Sequence, residues 1–519
     1  MTEEHRGRRG TGRPGPRRGP DGARGGPRRG DRRQTSGRPS RGGTSGTPGP
    51  RAGSRNPRAQ ASPARVVALE VLTAVAESDA YANLVLPPLL RERGISGRDA
   101  AFATELTYGT LRLQGRYDAI IGLVSDRAAR SLDPAVARVL RLGAHQILAM
   151  RVPNHAAVSE SVALARGSIG AGPGNFVNAI LRRISEHALE HWLTQLPSPV
   201  TDTGLDVDAA AMVHSHPAWV VRAIRAALGP EAGADQVEAA LAANNTAPAV
   251  SLCLRPGLAV PGDLPADTAT PGRWAPTAQM LASGDPGALA AVRAGTVGVQ
   301  DEGSQLVTLA LADTDLEGTD STWLDLCAGP GGKSALLGAL LAERAPEGVL
   351  TANELAPHRA ALVADSVRAV RGVLPGLQVR TGDGRDVGTA EPGRYDRVLV
   401  DAPCTGLGAL RRRPESRWRR TLQDLAALTT LQRELLTSAL RAVRPGGVVA
   451  YVTCSPHMAE TSVVVTDVLR DFPGATLLDA AAALGRVSVT PPGDLTGPMA
   501  QLWPHRHGTD AMFLALIRR

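Results

Sequence analysis

Aromatic side chains are scarce in this 519-residue chain, at 3% of the whole. Its cores must therefore be built from Ala, Leu and Val, which are plentiful enough for several. No run approaches the ~20 apolar residues of a membrane span, and the first residues form no hydrophobic signal region. The expectation is a soluble, cytoplasmic protein with no membrane partner. Cysteine is rare as well. Cys253, Cys327, Cys404 and Cys454 are far apart and form no C-x-x-C pair, which argues against a metal site and against a disulfide framework. Free thiols in a reducing compartment remain usable for chemistry. Lysine is almost missing: of 58 basic residues, Lys333 is the one lysine. A compact ammonium is expected there because a guanidinium fork would not fit.

The formal charge of +8 is unevenly spread. Residues 1–60 hold sixteen arginines against four acids, so they carry +12 and the rest of the chain nets −4. A tail over 1–62 made of Arg, Gly, Pro and Ser has little to bury. It is expected to be disordered and to neutralise phosphates without regard to sequence, which suits RNA. A solubilising extension is the plainer alternative.

The length allows roughly three domains at ~150 residues each, and the patterning divides accordingly into a multidomain chain. Over 63–190 apolar residues recur at helical spacing, as in Val66, Val67, Leu69, Val71 and Leu72, so this region is expected to be all-α. The glycine-rich run near 169–174 reads as a bend. His145 and His155 read as core or capping groups. Residues 191–318 combine a helix after His216 and Pro217 with short alternating runs such as 250–254, which suggests a small α+β linker module with Cys253 as a core thiol. From 319 to 519 strand and helix patterns alternate, the signature of an α/β doubly wound parallel sheet. Its candidate strands are 323–326, 349–353, 377–380, 397–400, 448–453, 475–478 and 512–517.

Residues 322–334 read T-W-L-D-L-C-A-G-P-G-G-K-S, a strand, a glycine turn and the start of a helix. A phosphate loop of the G-x-x-x-x-G-K-[ST] type needs glycine where Cys327 stands, so that reading fails. A dinucleotide-type turn fits better, with Gly329 and Gly331 in place and Glu354 at the next strand end suited to a ribose diol. By itself the loop leaves the adenosine cofactor open, and a merely structural glycine turn as well. Ligands in such sheets bind above the carboxyl ends of the strands. Reading those ends in turn gives Asp325 and Cys327, Glu354, Asp383, Asp401 with Cys404, and Cys454. Asp383, in T-G-D-G-R, could accept from an adenine amino group or simply form a turn. Cys404 and Cys454 follow strands expected to be neighbours ~5 Å apart, so both thiols should face one pocket. Ser455 can cap and Pro456 start a helix, which would place Cys454 at a helix N-terminus that favours a thiolate. Arg411, Arg412, Arg413, Arg417, Arg419 and Arg420 surround Trp418, a grouping suited to phosphate contact and stacking, with Trp418 equally readable as a core anchor.

The motifs L-D-L-C-A-G-P-G-G-K-S, D-A-P-C-T-G-L-G followed by R-R-R-P-E-S-R-W, and Y-V-T-C-S-P resemble those of RNA cytosine carbon-5 methyltransferases. In front of them, A-R-V-V-A-L-E-V-L, F-A-T-E-L-T-Y-G-T-L-R, L-R-L-G-A-H-Q-I-L and N-F-V-N-A-I-L-R-R resemble the NusB-like RNA-binding helical domain. Together, from about 63 to 519, the chain resembles the RsmB (Sun) family, which methylates small-subunit (16S) ribosomal RNA with S-adenosylmethionine. Departures are mild: Gly329 for a frequent Ala, Ser334 for Thr, Glu354 for Asp, Thr405 for Ser. The resemblance implies a NusB-like domain, a linker module and a class I methyltransferase sheet. It implies Cys454 as the nucleophile that adds to cytosine C6, Asp401 as its partner on the base, and Cys404 as the residue assisting release. Cys327, Ala328, Gly329, Pro330, Gly331, Gly332 and Lys333, with Glu354, Asp383 and Asp401, would hold S-adenosylmethionine. Ribosomal RNA, free or in an assembling particle, is the implied partner. The motifs leave transfer RNA or another ribosomal site open as target. A non-catalytic RNA-binding or assembly factor is the alternative of another class, disfavoured by intact Cys454, Cys404 and Asp401.

Overall fold

The computed structural model describes residues 61–519. The expected disordered tail lies outside the described residues except for its last two positions.

Six helices open the described chain: α1 (Pro63–Glu77), α2 (Ala82–Glu92), α3 (Gly97–Ser125), α4 (Pro134–Leu148), α5 (Asn154–Ser168) and α6 (Ala171–Ile184). The start of α4 shows how the local sequence dictates them. Asp133 accepts from the N–H groups of Ala135 and Val136, Pro134 supplies the preset φ of a first turn, and Val136, Val139 and Leu140 face the core. The bend expected over the glycine-rich run is confined to Ile169 and Gly170, whose φ is 130°. The following glycines continue as the first turn of α6. His145 is a core group, its Nδ1 2.8 Å from the Tyr117 hydroxyl.

Next come α7 (Leu189–Thr194), a small hairpin of β1 (Val200–Thr201) and β2 (Gly204–Leu205), α8 (Val207–Val213), α9 (Ala218–Leu228) and α10 (Ala234–Ala243). They are followed by β3 (Val250–Leu254), β4 (Ala269–Pro271), β5 (Ala278–Leu281), α11 (Ala290–Ala294), β6 (Val297–Val299) and α12 (Glu302–Asp313). The strands form an antiparallel sheet in the order β4-β5-β3-β6. This stretch packs in two directions. Helices α8 to α10 bury Val220, Val221 and Leu241 with Leu407, Leu410 and Trp503 of the C-terminal region. Cys253 of β3 is buried beside Leu306 and Ala310 of α12, and burial pushes its thiol up to about 12.

The remaining elements are β7 (Thr322–Asp325), α13 (Gly332–Arg344), β8 (Val349–Glu354), α14 (Pro357–Ser366), β9 (Leu377–Thr381), α15 (Gly384–Ala390), β10 (Tyr395–Asp401), α16 (Ser416–Arg419), α17 (Leu422–Ala442), β11 (Val443–Thr453), α18 (Ser462–Leu469), β12 (Thr476–Leu478), α19 (Ala480–Val487), β13 (Met499–Gln501), α20 (Pro504–His507) and β14 (Phe513–Arg518). Among the described residues they build an eight-stranded sheet, β12-β14-β11-β10-β7-β8-β9, with β13 also paired to β14. Strands β7 to β11 pair in parallel, whereas β14 runs antiparallel to β11. Helix layers cover both faces, so the central strands are buried throughout; Val448 to Val452 have no exposure at all. The strand order reverses beside β7, where β8 and β9 lie on one side and β10 and β11 on the other. The glycine loop leaves β7 and the two cysteine loops leave β10 and β11, all at the same carboxyl edge. Among the described residues no helix is long and apolar enough to cross a membrane.

Candidate active site

The loop after β7 is shaped by its neighbours. The Ala328 N–H donates to the Asn353 carbonyl (2.8 Å), and the Gly331 N–H turns back to the Ala328 carbonyl (2.7 Å). The Gly329 N–H donates to the Glu354 carboxylate (3.0 Å), Arg359 donates to the Gly329 carbonyl (2.8 Å), and the Ser366 hydroxyl donates to the Pro330 carbonyl (2.8 Å). Glycine is required at Gly331, which has φ +107° with Ser366 and Val363 closing on it, whereas a Cβ on Gly329 would lie 2.3 Å from the Glu354 carboxylate and would have that side chain shift. Glu354 is buried and also accepts from the Ala356 N–H (3.1 Å). Asn353, which the sequence reading passed over, donates to the Leu326 and Gly382 carbonyls and so joins this loop to the loop holding Asp383.

Asp383 stands as a helix cap. Its carboxylate accepts from the Arg385 N–H and pairs with the Arg385 guanidinium (2.6 Å), whose hydrogen bond holds the carboxyl below its usual range. Asp325, at the end of β7, is a further polar group of the site. Its Oδ2 accepts from the Ser334 hydroxyl (2.6 Å), whereas the buried Oδ1 has no partner among the described residues. Burial pushes this carboxyl up to about 7, against the Ser334 hydrogen bond. An unsatisfied buried acceptor under a glycine turn fits a cationic ligand group such as the ammonium of the expected cofactor. Burial also pushes the Cys327 thiol up, with Asp325, Asp401 and Glu354 adding to the effect. That suits a backbone role for Cys327 and not a reactive one.

The tips of β10 and β11 meet the start of α13. Register pairing of Asp401 with Val452 brings Cys404 and Cys454 together, with their sulfurs 3.4 Å apart. Lys333 donates to Asp401 at 2.8 Å and is largely buried. Burial pulls its ammonium down, but Asp401 outweighs this and the net shift is upward. The Cys454 thiol is lowered, chiefly by its hydrogen bond with Cys404, with Lys333 and Arg413 adding to the effect against burial and Asp401. The same hydrogen bond raises Cys404. Among the described residues no three His, Cys, Asp or Glu side chains gather as a metal site.

Two expectations need correction. No helix begins at Pro456: a short turn at Met458–Glu460 intervenes and α18 starts at Ser462. The Ser455 hydroxyl donates to buried Glu460 (2.6 Å) and accepts from the His457 N–H (3.2 Å), so it serves the loop and not the first turn of α18. Cys454 is favoured as a thiolate by Cys404, Lys333 and Arg413 instead. The arginines around Trp418 are, for the most part, internal fasteners. Arg411 and Arg412 pair with Asp510 and Asp301. Arg419 donates to the Val75, Asp79 and Ala80 carbonyls. Arg417 is fully buried and donates to the Arg112, Ser215 and Asn244 carbonyls and to the Asn245 side chain. Burial pulls its guanidinium down to about 9. Arg413 and Trp418 are exposed, leaving them as the surface part of the cluster.

Comparison with known proteins matches this arrangement at several levels. The family profile described as 16S rRNA methyltransferase RsmB/F matches residues 311–518, and that of the NusB family matches residues 62–186. A methyltransferase of Mycobacterium tuberculosis (strain H37Rv) is 51% identical over 469 residues, covering 90% of this chain and 99% of the relative. Ribosomal RNA small subunit methyltransferase B of Pseudomonas putida is 30% identical, covering 81% of this chain and 92% of the relative. The crystal structure of PH0851 shares the fold at 22% identity, with a TM-score of 0.69 over 88% of this chain and 99% of that one. With the cysteine pair, the glycine loop and the helical region in front all in place, the chain belongs to the RsmB/F methyltransferase family and is an S-adenosylmethionine-dependent RNA methyltransferase.

Proposed function

We propose that this enzyme forms 5-methylcytosine in small-subunit (16S) ribosomal RNA through a covalent adduct between Cys454 and carbon 6 of the target cytosine. The observation that carries the reading is the thiol pair at 3.4 Å beside the Lys333–Asp401 ion pair. Carbon 5 of cytosine is a poor nucleophile. Addition of the Cys454 thiolate to carbon 6 pushes electron density onto carbon 5, making it the methyl acceptor. S-adenosylmethionine, when bound, supplies an electrophilic sulfonium methyl group. The loop 327–333, Glu354, Asp383 and the unpartnered Asp325 oxygen are the groups to hold it. Asp401 hydrogen-bonds the base edge as charge builds on the ring, and Lys333 orients that carboxylate. Loss of the carbon 5 proton and elimination of the Cys454 thiolate, assisted by Cys404, release the product. The target base must be unpaired or flipped to enter the site.

In this reading residues 63–190 form the RNA-binding domain, 191–318 the connecting module and 319–519 the catalytic domain. The enzyme works in the cytoplasm, on free ribosomal RNA or on an assembling particle. Bisulfite sequencing of ribosomal and transfer RNA from cells with and without the gene tests it: loss of one 16S site is expected. Loss in transfer RNA would move the substrate, and no change anywhere would refute the proposed reaction. In vitro, Cys454→Ala should abolish methyl transfer with cofactor affinity retained. Cys404→Ala should accumulate a covalent RNA adduct that requires Cys454.

A further inference from the structure

Glu460 lies between the two cysteine loops. It is fully buried at the end of the turn Met458–Glu460. One carboxylate oxygen accepts from the Thr405 N–H (2.7 Å) and the Gln432 side chain (3.2 Å). The other accepts from the Thr405 hydroxyl and the Ser455 hydroxyl. Thr405 directly follows Cys404 and Ser455 directly follows Cys454. Gln432 also donates to the Pro403 carbonyl (2.8 Å), and the Gly408 N–H donates to the Cys454 carbonyl (2.9 Å). One side chain thus ties together the residues that follow both thiols.

The choice of a carboxylate is the informative part. All four contacts are donors, the set that an ionised carboxylate satisfies as an acceptor only. Among the described residues no arginine or lysine pairs with it. A buried anion held by neutral donors alone is costly to stability; a glutamine would keep the two N–H contacts on its carbonyl oxygen and donate its amide to the two hydroxyls, without that cost. The charges facing the thiols are Asp401 from β10, Lys333 from α13, Arg413 from the segment leading to α16, and Glu460. Glu460 takes two hydrogen bonds from Thr405, next to Cys404, and one from Ser455, next to Cys454, so its charge bears most on Cys404; Lys333 and Arg413 favour the Cys454 thiolate, and Asp401 opposes ionisation of both. Cations weighted toward Cys454 and the Glu460 anion weighted toward Cys404 pull the two thiols' acidities apart.

We propose that Glu460 is a positioning residue for the cysteine pair: it holds the two cysteine loops in contact and, by its charge, keeps the shared proton on Cys404 so that Cys454 is the thiolate. The inference rests on reading these cysteines as the reacting pair, and a test without RNA separates the two. In the full-length protein, each thiol's iodoacetamide alkylation rate is followed between about pH 6 and 8 by peptide mass spectrometry. Wild type should alkylate Cys454 in preference to Cys404. Glu460→Gln should lower that preference ~10-fold, the effect of one pKa unit of lost separation, with a melting temperature no lower than that of the wild type. Glu460→Asp, which keeps the charge, should restore part of it. Ser455→Ala and Thr405→Val each remove one tether and leave the charge, so they should keep the preference and lower kcat on a 16S RNA transcript more than they change KM. These two are decisive should the Gln variant not fold. A folded Glu460→Gln protein with wild-type preference and pH profile overturns the proposal, as does loss of preference in both tether variants. A wild-type protein that alkylates Cys454 selectively yet methylates no RNA refutes the proposed reaction and leaves the role of Glu460 standing.

Discussion

Replacing Asp325 with asparagine should stabilise the cofactor-free protein at alkaline pH while weakening its hold on S-adenosylmethionine. Asp325 is 1% exposed, and its Oδ1 has no partner among the described residues. Its carboxyl rises from the ordinary 3.8 to about 7. A raised value means that the folded protein binds this proton more tightly than the unfolded chain. The resulting stability is complete below pH 3.8 and is lost as pH climbs through 7. A separation of roughly three units, at ~1.4 kcal/mol each, amounts to about 4 kcal/mol of cost once the group is ionised. Asparagine has no charge to desolvate and can still accept from Ser334. Its unpaired amide costs ~1–3 kcal/mol, which leaves a net gain of about 1–3 kcal/mol at pH ~8. Near pH 5 the gain should vanish or reverse. Calorimetric melting at the two pH values reads the difference. Titration calorimetry should show cofactor affinity reduced ~10- to 100-fold, the loss of one charge-assisted hydrogen bond of ~1.5–3 kcal/mol. Equal destabilisation at both pH values, or an unchanged affinity, would sink the argument that this carboxylate is kept ionisable for a cationic ligand.

Gly331→Ala would set a Cβ 2.6 Å from Ser366 and 2.9 Å from Val363 at a φ of +107°, so cofactor Kd should rise ~10-fold, about 1.4 kcal/mol, by calorimetry; a wild-type Kd would show that the loop yields freely. Lys333→Met removes a cation that favours the Cys454 thiolate, so alkylation of Cys454 at neutral pH should slow and its pH profile move upward, a shift absent if Asp401 is the sole target of the ammonium. Arg417→Ala strips four neutral acceptors in the helical and connecting regions of their donor, at ~1–3 kcal/mol for a buried acceptor left unpaired. The melting temperature should fall and proteolysis between these regions should quicken; a wild-type melt would refute the fastening role.

What the sequence determined by itself is whatever its local pattern encodes. The central strands read as apolar runs because parallel strands are buried on both faces, and the region 63–190 read as helical from its spacing alone. The glycine turn is legible because its backbone demands fall within a few adjacent residues. The meeting of Cys404 and Cys454 needed only the order of two strands, since register then brings their ends together. Tertiary structure decided the rest, through contacts between residues far apart in the chain. Composition shows arginines around a tryptophan. Only the fold shows that Arg417 reaches carbonyls more than 170 residues away in sequence and is therefore unavailable to phosphate. Ser455 and Pro456 carry a local helix-start signal, yet the Ser455 hydroxyl is shared between buried Glu460 and the His457 N–H, and the helix starts at Ser462. Edge strand β13 is three residues long, too short to show a period, and exists because β14 offers it a partner. Asp325 looks like any acid at a strand end until burial leaves one of its oxygens without a partner, a property of packing that no local motif records.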